Sequence, residues 1–411
     1  MLRFMAVVGS LEALRELNKL RVIDALRQRG TASRTELARY TGLSRTTVAT
    51  LISDLQASGL VVEDAESGGS EPAGRGRPPG LVRLDPSAGA AVGVDFGHSH
   101  VHIAVADLSS RVLAERRVAV AVDDDATTAL NTAAELVDEL IASTGLDRTR
   151  IVCAGMGVPG PLDRRTGEIG STVILPGWVG LRAGEELSRR IGLPVEVDND
   201  ANLGALGELF YGAARGLSDF IYVKHSSGIG AGIVVGGRLH RGATGVAGEL
   251  GHVRVADEVA VCRCGNRGCL QTVAGAVALL ASLSAAHGRD ITMRDLIDSV
   301  AAGDPGACRV VNDAGRAVGR VLASVCNVLN PEAVIVGGDL SVVGEPLFAG
   351  VREAIDRNAL LGTAHAVEVK GGALGERAGV LGALALVIGD TDRLRSAGLA
   401  ALNQPAASAV T

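Results

Sequence analysis

Apolar positions at the start of the chain recur with helical spacing. Leu11, Leu14, Leu17, Leu20, Ile23 and Leu26 follow one another at intervals of three, and Gly30 closes the pattern. Ser33 stands three residues before Glu36, a capping-box arrangement that predicts a short helix through Tyr40. Gly42 supplies a turn, and Ser44 caps a third helix whose apolar face is Val48, Leu51, Ile52 and Leu55. Two helices joined at a glycine in this way predict a helix-turn-helix. The short runs Leu60–Glu63 and Leu81–Leu84 then read as two strands around a polar loop, the wing of a winged helix.

Beyond Asp85-Pro86 the pattern changes to short apolar runs, most of them ending in glycine or an acid. They are Ala91–Gly97, Ile151–Gly160, Val195–Asn202, Phe220–Val223 with Ser226–Val235, and Ala333–Gly338. Strands ending in glycine turns, with helices between them, predict an α/β body that binds ligand at the carboxyl ends of its strands. The two most similar glycine turns, 95–99 and 226–232, lie in separate halves, as in a two-lobed phosphate clamp.

With 411 residues, 47% hydrophobic and 21% charged, the chain is globular and long enough for two or three domains. Aromatics are only 2%, so the core must be aliphatic. The long charge-free stretch Gly268–Ala286 is interrupted by Gln271, Thr272, Gly275, Ser282 and Ser284, which argues against a membrane span. The opening residues lack the apolar core and cleavage site of a signal peptide. A soluble, cytoplasmic protein is expected, with no membrane partner.

Charge divides unevenly: residues 1–84 carry a net +3 and the remainder −9. A basic head bearing a helix-turn-helix predicts DNA binding. Ser44, Arg45, Thr46 and Thr47, at the polar start of the third helix, are the residues that would face base edges. Arg75 and Arg77, set among glycines and prolines in the wing loop, suit a narrow groove of negative potential. The bland alternative is a small three-helix interaction module with a solvated Gly/Arg linker.

Six cysteines split into three isolated ones (Cys153, Cys308, Cys326) and a cluster, Cys262, Cys264 and Cys269. The cluster follows Glu249-Leu250-Gly251-His252, so His252 and the three thiolates offer four ligands for a closed, structural zinc site. Three free thiols in a loop are the alternative.

These motifs together resemble the ROK family of repressors, open reading frames and sugar kinases. The matching pieces are Asp95-Phe96-Gly97, Asp198-Asn199-Asp200-Ala201-Asn202, the turn at 226–232, Gly248–His252 and the Cys-x-Cys-Gly-x-x-Gly-Cys knuckle. The resemblance implies an α/β fold: an N-terminal winged helix-turn-helix, then a two-lobed actin/hexokinase-like (ribonuclease H-like) body. The expected divisions are 1–84 for the head and 85–198 plus a C-terminal helix at about 385–405 for the first lobe. Residues 199–384 would form the second lobe, with the knuckle and an oligomerisation surface. Asn199, Asp200, Glu249, His252 and Gln271 would contact a sugar, and Asp200 would be the general base if the protein were a kinase.

Departures from the family pattern favour the repressor branch. His98 stands where the family's first phosphate turn has glycine, so a side chain should obstruct ATP. A sugar-binding amide is absent from the stretch Val173–Trp178, and Gln271 replaces a glutamate after Gly-Cys-Leu. His98, His100 and His102 alternate along a strand, but no cluster of acids or thiols makes them a second metal site. The expectation is a sugar-responsive repressor, a homodimer or homotetramer on palindromic operator DNA, with structural zinc and no ATP. An ATP-dependent sugar kinase is the alternative. A DNA-binding protein whose cleft senses a partner protein is a third reading.

Overall fold

The computed structural model describes residues 11–64, 80–163, 165–169, 174–255 and 260–389. Arg75 and Arg77 lie outside these residues.

In the head, helices Leu11–Arg29, Arg34–Thr41 and Arg45–Ala57 pack around Val22, Ile23, Leu26, Leu37, Val48, Leu51, Ile52 and Leu55. Ser33 and Glu36 form the capping box, and Gly42 turns the chain at φ 69°, a left-handed value that favours glycine. The wing strands Val61–Glu63 and Leu81–Leu84 pair antiparallel, and the short strand Thr31–Ser33 joins the other edge of Leu81–Leu84. That third strand gives no sequence signal, because three residues show no period.

Among the described residues the body has two five-stranded sheets and a two-stranded one. In the first, the parallel strands Val195–Asn199, Ile151–Val158 and Ala90–Gly97 are followed by antiparallel His100–Asp107 and Val112–Ala119. Helices Ala126–Thr144 and Ala183–Ile191 bury one face of it, with Val92, Val94, Leu130, Val137 and Leu187 in the contact. Helix Ala378–Ile388 covers the other face through Val380, Leu381, Leu384 and Val387. This helix starts before the expected C-terminal segment, most of which lies beyond the described residues.

The second sheet runs Arg238–His240, Ile229–Val235, Phe220–His225, Ala333–Gly337 and Glu368–Gly371. Helices Pro305–Leu329 and Glu345–Asn358 pack on it through Val311, Val318, Leu322, Leu347 and Val351. On its other face lie Ala205 of helix Asp200–Tyr211 and Ala378, packed with Phe220, Tyr222 and Ile335. Among the described residues, no helix is long and apolar enough to cross a membrane.

Candidate functional site

Two surfaces carry chemistry, one on the head and one between the lobes. On the head, Ser44 adopts extended backbone and its Oγ accepts from the Thr47 N–H at 3.1 Å, which starts helix Arg45–Ala57. Ser44, Arg45 and Thr46 are exposed, Thr47 is half-buried, and Val48 turns into the core. The helix therefore presents a short polar end to solvent while its apolar side fixes its pose, as insertion into a DNA major groove requires.

Between the lobes lies a cleft of about 640 Å³, bounded by the carboxyl ends of both sheets. Gly97, Asn199, Lys224, Ser226, Glu249, His252 and Gln271 all line it. Asn199 ends a first-lobe strand and caps helix Asp200–Tyr211, its side-chain oxygen accepting from the Ala201 and Asn202 N–H groups at 2.8 and 3.3 Å. Its amide nitrogen donates to the Gly160 carbonyl at 2.9 Å, leaving one amide hydrogen for the cleft. Asp200 follows at the first helical position, where the helix dipole favours a negative charge.

Lys224 of the second sheet lies beneath the start of this helix, placing Nζ 2.7 Å from Asp200 Oδ2. Burial alone would lower the lysine pKa, but the charges of Asp200 and Asp95 outweigh it and raise it. Asp95 is 4% exposed, and burial works to raise its carboxyl. The His100 contact and the Lys224 charge reverse that, leaving it below the usual carboxylate range. For Glu249, burial raises the carboxyl and the neighbouring Asp200 charge adds to the rise.

Glu249 sits where the backbone is tightly held. Gly248 has φ 97°, and a Cβ there would stand 1.9 Å from the Ala231 carbonyl oxygen, so only glycine fits. The Ala231 N–H donates to the Gly248 carbonyl at 2.8 Å, which ties Glu249 to the glycine turn.

Behind Glu249 the chain folds into the knuckle. His252, Cys262, Cys264 and Cys269 bring their ligand atoms within 4.8 Å of one another, a set that could hold a metal ion. Cys262 Sγ lies 3.7 Å from His252 Nδ1, and Cys264 Sγ lies 3.7 Å from Cys269 Sγ. Gln271 is tied to this cluster, its amide donating to Cys262 Sγ at 3.1 Å. His252 Nε2 approaches Glu249 Oε2 at 3.8 Å, so the knuckle's histidine touches the cleft with its second nitrogen.

A model of the ROK family matches residues 91–390, most of the chain. The chain belongs to the ROK family. Its head matches a model of the MarR family over residues 16–69. The xylose repressor of Caldicellulosiruptor bescii is 30% identical over 93% of this chain and 98% of its own length. A crystal structure of a ROK family transcriptional regulator, described as a homolog of E. coli Mlc, superposes with TM-score 0.76 at 26% identity. That match covers 95% of this chain and 98% of the regulator. A ROK family glucokinase from Streptomyces griseus, solved with glucose and AMPPNP, is 30% identical with TM-score 0.63, over 72% of this chain and 99% of its own.

The ROK cleft here gathers every residue expected to touch a sugar: Asn199, Asp200, Glu249, His252 and Gln271. The first glycine turn differs in detail from the expectation. His98 swings to Asp123, its Nδ1 2.8 Å from Oδ1. The ring that fills the space over the turn is His100, since a Cβ on Gly97 would fall 2.1 Å from its Cε1. His102 is paired separately, with Glu115 at 2.8 Å. Sequence reasoning missed Lys224. Its signal was its rarity, because Lys19, Lys224 and Lys370 are the only lysines in the chain.

Proposed function

We propose that this protein is a sugar-responsive transcriptional repressor. One observation supports this most: the similarity to xylose repressors runs through head and body together, over 93% of the chain. The exposed residues Ser44, Arg45 and Thr46, with Thr47 beside them, meet base edges, and the wing arginines Arg75 and Arg77 reach the adjacent groove. A sugar enters the interlobe cleft, where Asp200 and Glu249 accept from hydroxyls and the Asn199 and Gln271 amides and His252 Nε2 complete the hydrogen bonding. Two heads on a palindromic operator require at least a homodimer. The protein works in the cytoplasm, where its DNA is.

Zinc suits the knuckle. Three thiolates and an imidazole make a borderline-soft donor set, and the close Sγ approaches are compatible with one tetrahedral ion. His252, Cys262, Cys264 and Cys269 would hold the ion, which would supply a structural clamp that fixes His252 against the cleft, with Gln271 anchored through its bond to Cys262.

Fluorescence anisotropy of DNA from upstream of the protein's own gene, at fixed salt, tests the reading. Specific binding relieved by D-xylose, D-glucose or an N-acetylhexosamine is expected. Specific binding indifferent to all of them would turn the cleft over to a partner protein. The second reading, an ATP-dependent sugar kinase with Asp200 as general base, draws on the 30% identity to glucokinases over the body. ADP formation with a sugar, abolished in Asp200→Asn, would establish it. Against it stand the His100 ring over the first turn and the ion pair that engages Asp200.

A further inference from the structure

Lys224 occupies strand Phe220–His225 of the second lobe. Its cross-strand partners are Gly230 on one side and Gly337 on the other. Neither neighbour has a side chain, and the space is taken instead by the Tyr222 hydroxyl over Gly337 and by Ala201 of the helix that begins at Asp200 over Gly230. The Lys224 ammonium meets two carboxylates, Asp200 at the start of the helix packed on the same sheet, in a 2.7 Å ion pair, and Asp95 of the first lobe as a nearby charge. The side chain keeps 26% of its surface, and that surface faces the cleft. An ammonium has three donors, and Asp200 takes one in the described contacts. Glu249 is close enough to Asp200 to feel its charge, so acceptor and donor groups surround one point.

We propose that Lys224 is a specificity-determining residue of the cleft, donating a hydrogen bond to one sugar hydroxyl while Asp200 accepts from the adjacent one. The inference rests on the sugar-binding reading above and extends it to a residue outside that reading's contacts. An ammonium locked beside a carboxylate makes a fixed donor–acceptor pair, matched to the two hydroxyls of a vicinal diol. The spacing is set by the protein, since each group holds the other in place. A sugar lacking one of the two hydroxyls forgoes a charge-assisted hydrogen bond at that position and binds more weakly. The same pairing engages Asp200 Oδ2 with Lys224 and leaves the other carboxylate oxygen to accept from the sugar.

The test is isothermal titration of the full chain with D-xylose, D-glucose and their monodeoxy analogues, in wild type, Lys224→Met and Lys224→Gln. Methionine keeps the length of the stem without the charge, and glutamine keeps a donor to Asp200 if the methionine variant does not fold. Wild type is expected to bind one parent sugar and to discriminate against two neighbouring deoxy analogues. Each folded variant is expected to bind the parent about ten- to a hundredfold more weakly. Each should also lose the discrimination at the hydroxyl facing Lys224 while keeping that at the hydroxyl facing Asp200. Operator affinity without sugar should match wild type, which separates this effect from general damage. Wild-type affinity and an undiminished deoxy pattern in a folded variant would overturn the role of Lys224. A wild-type protein that binds none of the sugars would instead overturn the sugar-binding reading, and this inference with it.

Discussion

His225 follows Lys224, and its side chain is fully buried on the other face of the strand. Its Nε2 meets the Ala274 carbonyl at 2.6 Å, and its Nδ1 has no hydrogen-bond partner. Burial pushes its pKa down to about 4, with the Ala274 contact opposing. The unfolded chain takes up this proton near pH 6.5 and the folded chain does not, so stability falls as pH drops below that value. The contribution is complete above about pH 6.5 and lost as pH falls toward about 4, a difference on the order of 3 kcal/mol. Urea midpoints measured from pH 7 to pH 4.5 should fall less steeply in His225→Gln than in wild type, and equal slopes would remove His225 from the account. Residues of this kind show where sequence reading stops. The acids of the Asp198–Asn202 run and the Glu249–His252 run were legible because they stand in motifs. Lys224 was not, because a single lysine in a strand looks like a solvated edge. It becomes visible only when strand register puts glycine on both sides of it and the helix that begins at Asp200 packs over it.

Short elements fix the functional groups, and their caps were the most readable part of the chain. Ser33 with Glu36, and Ser44 with Thr47, form the caps expected from their spacing, so the recognition helix begins where Arg45 is exposed. Arg45→Ala is expected to weaken specific operator binding by about 1–3 kcal/mol and leave the melting temperature unchanged. Equal loss on specific and random DNA would reassign Arg45 to phosphate contact. The knuckle was legible as a ligand set and, through His252, as a brace on Glu249, but the Gln271 contact was not, because it depends on how side chains meet. Gln271 donates to Cys262 Sγ, and His252 touches Glu249. Cys264→Ser should therefore lower metal content measured by atomic absorption, destabilise the second lobe, and weaken sugar binding together. A metal-replete Cys264→Ser protein of wild-type stability would contradict the structural-metal reading.

At the scale of the molecule, a repressor of this kind needs a route from cleft to head, and two helices run that way. Helix Asp200–Tyr211 starts at the cleft, and helix Ala378–Ile388 follows directly on Gly375 and Glu376, which line it. Both end at the head. Phe210 and Tyr211 border a cavity of about 490 Å³ at the junction with the head, and the Ile388 carbonyl accepts from Arg27 Nη2 at 2.6 Å. Each helix is about 17 Å long at 1.5 Å per residue. They touch backbone to backbone: a Cβ on Gly382 would lie 1.8 Å from the Leu203 carbonyl oxygen, and one on Gly207 2.4 Å from that of Ala378. Such contacts leave no slack, so a shift at one end moves the other. Arg27 is the head's hold on this pair, with its side chain only 6% exposed and its Nη1 donating to Asp24 at 3.2 Å. The cavity beside it leaves the junction room to rearrange. Arg27→Met keeps the apolar stem and removes the bond to Ile388, while Asp24, 46% exposed, remains solvated without its partner. Sugar affinity and sugar-free operator affinity should stay near wild type. The ratio of operator dissociation constants with and without sugar, which measures the coupling free energy, should fall several-fold toward one. An unchanged ratio would mean that sugar acts on the heads by another path, such as the interface between subunits, and that Arg27 only anchors the head.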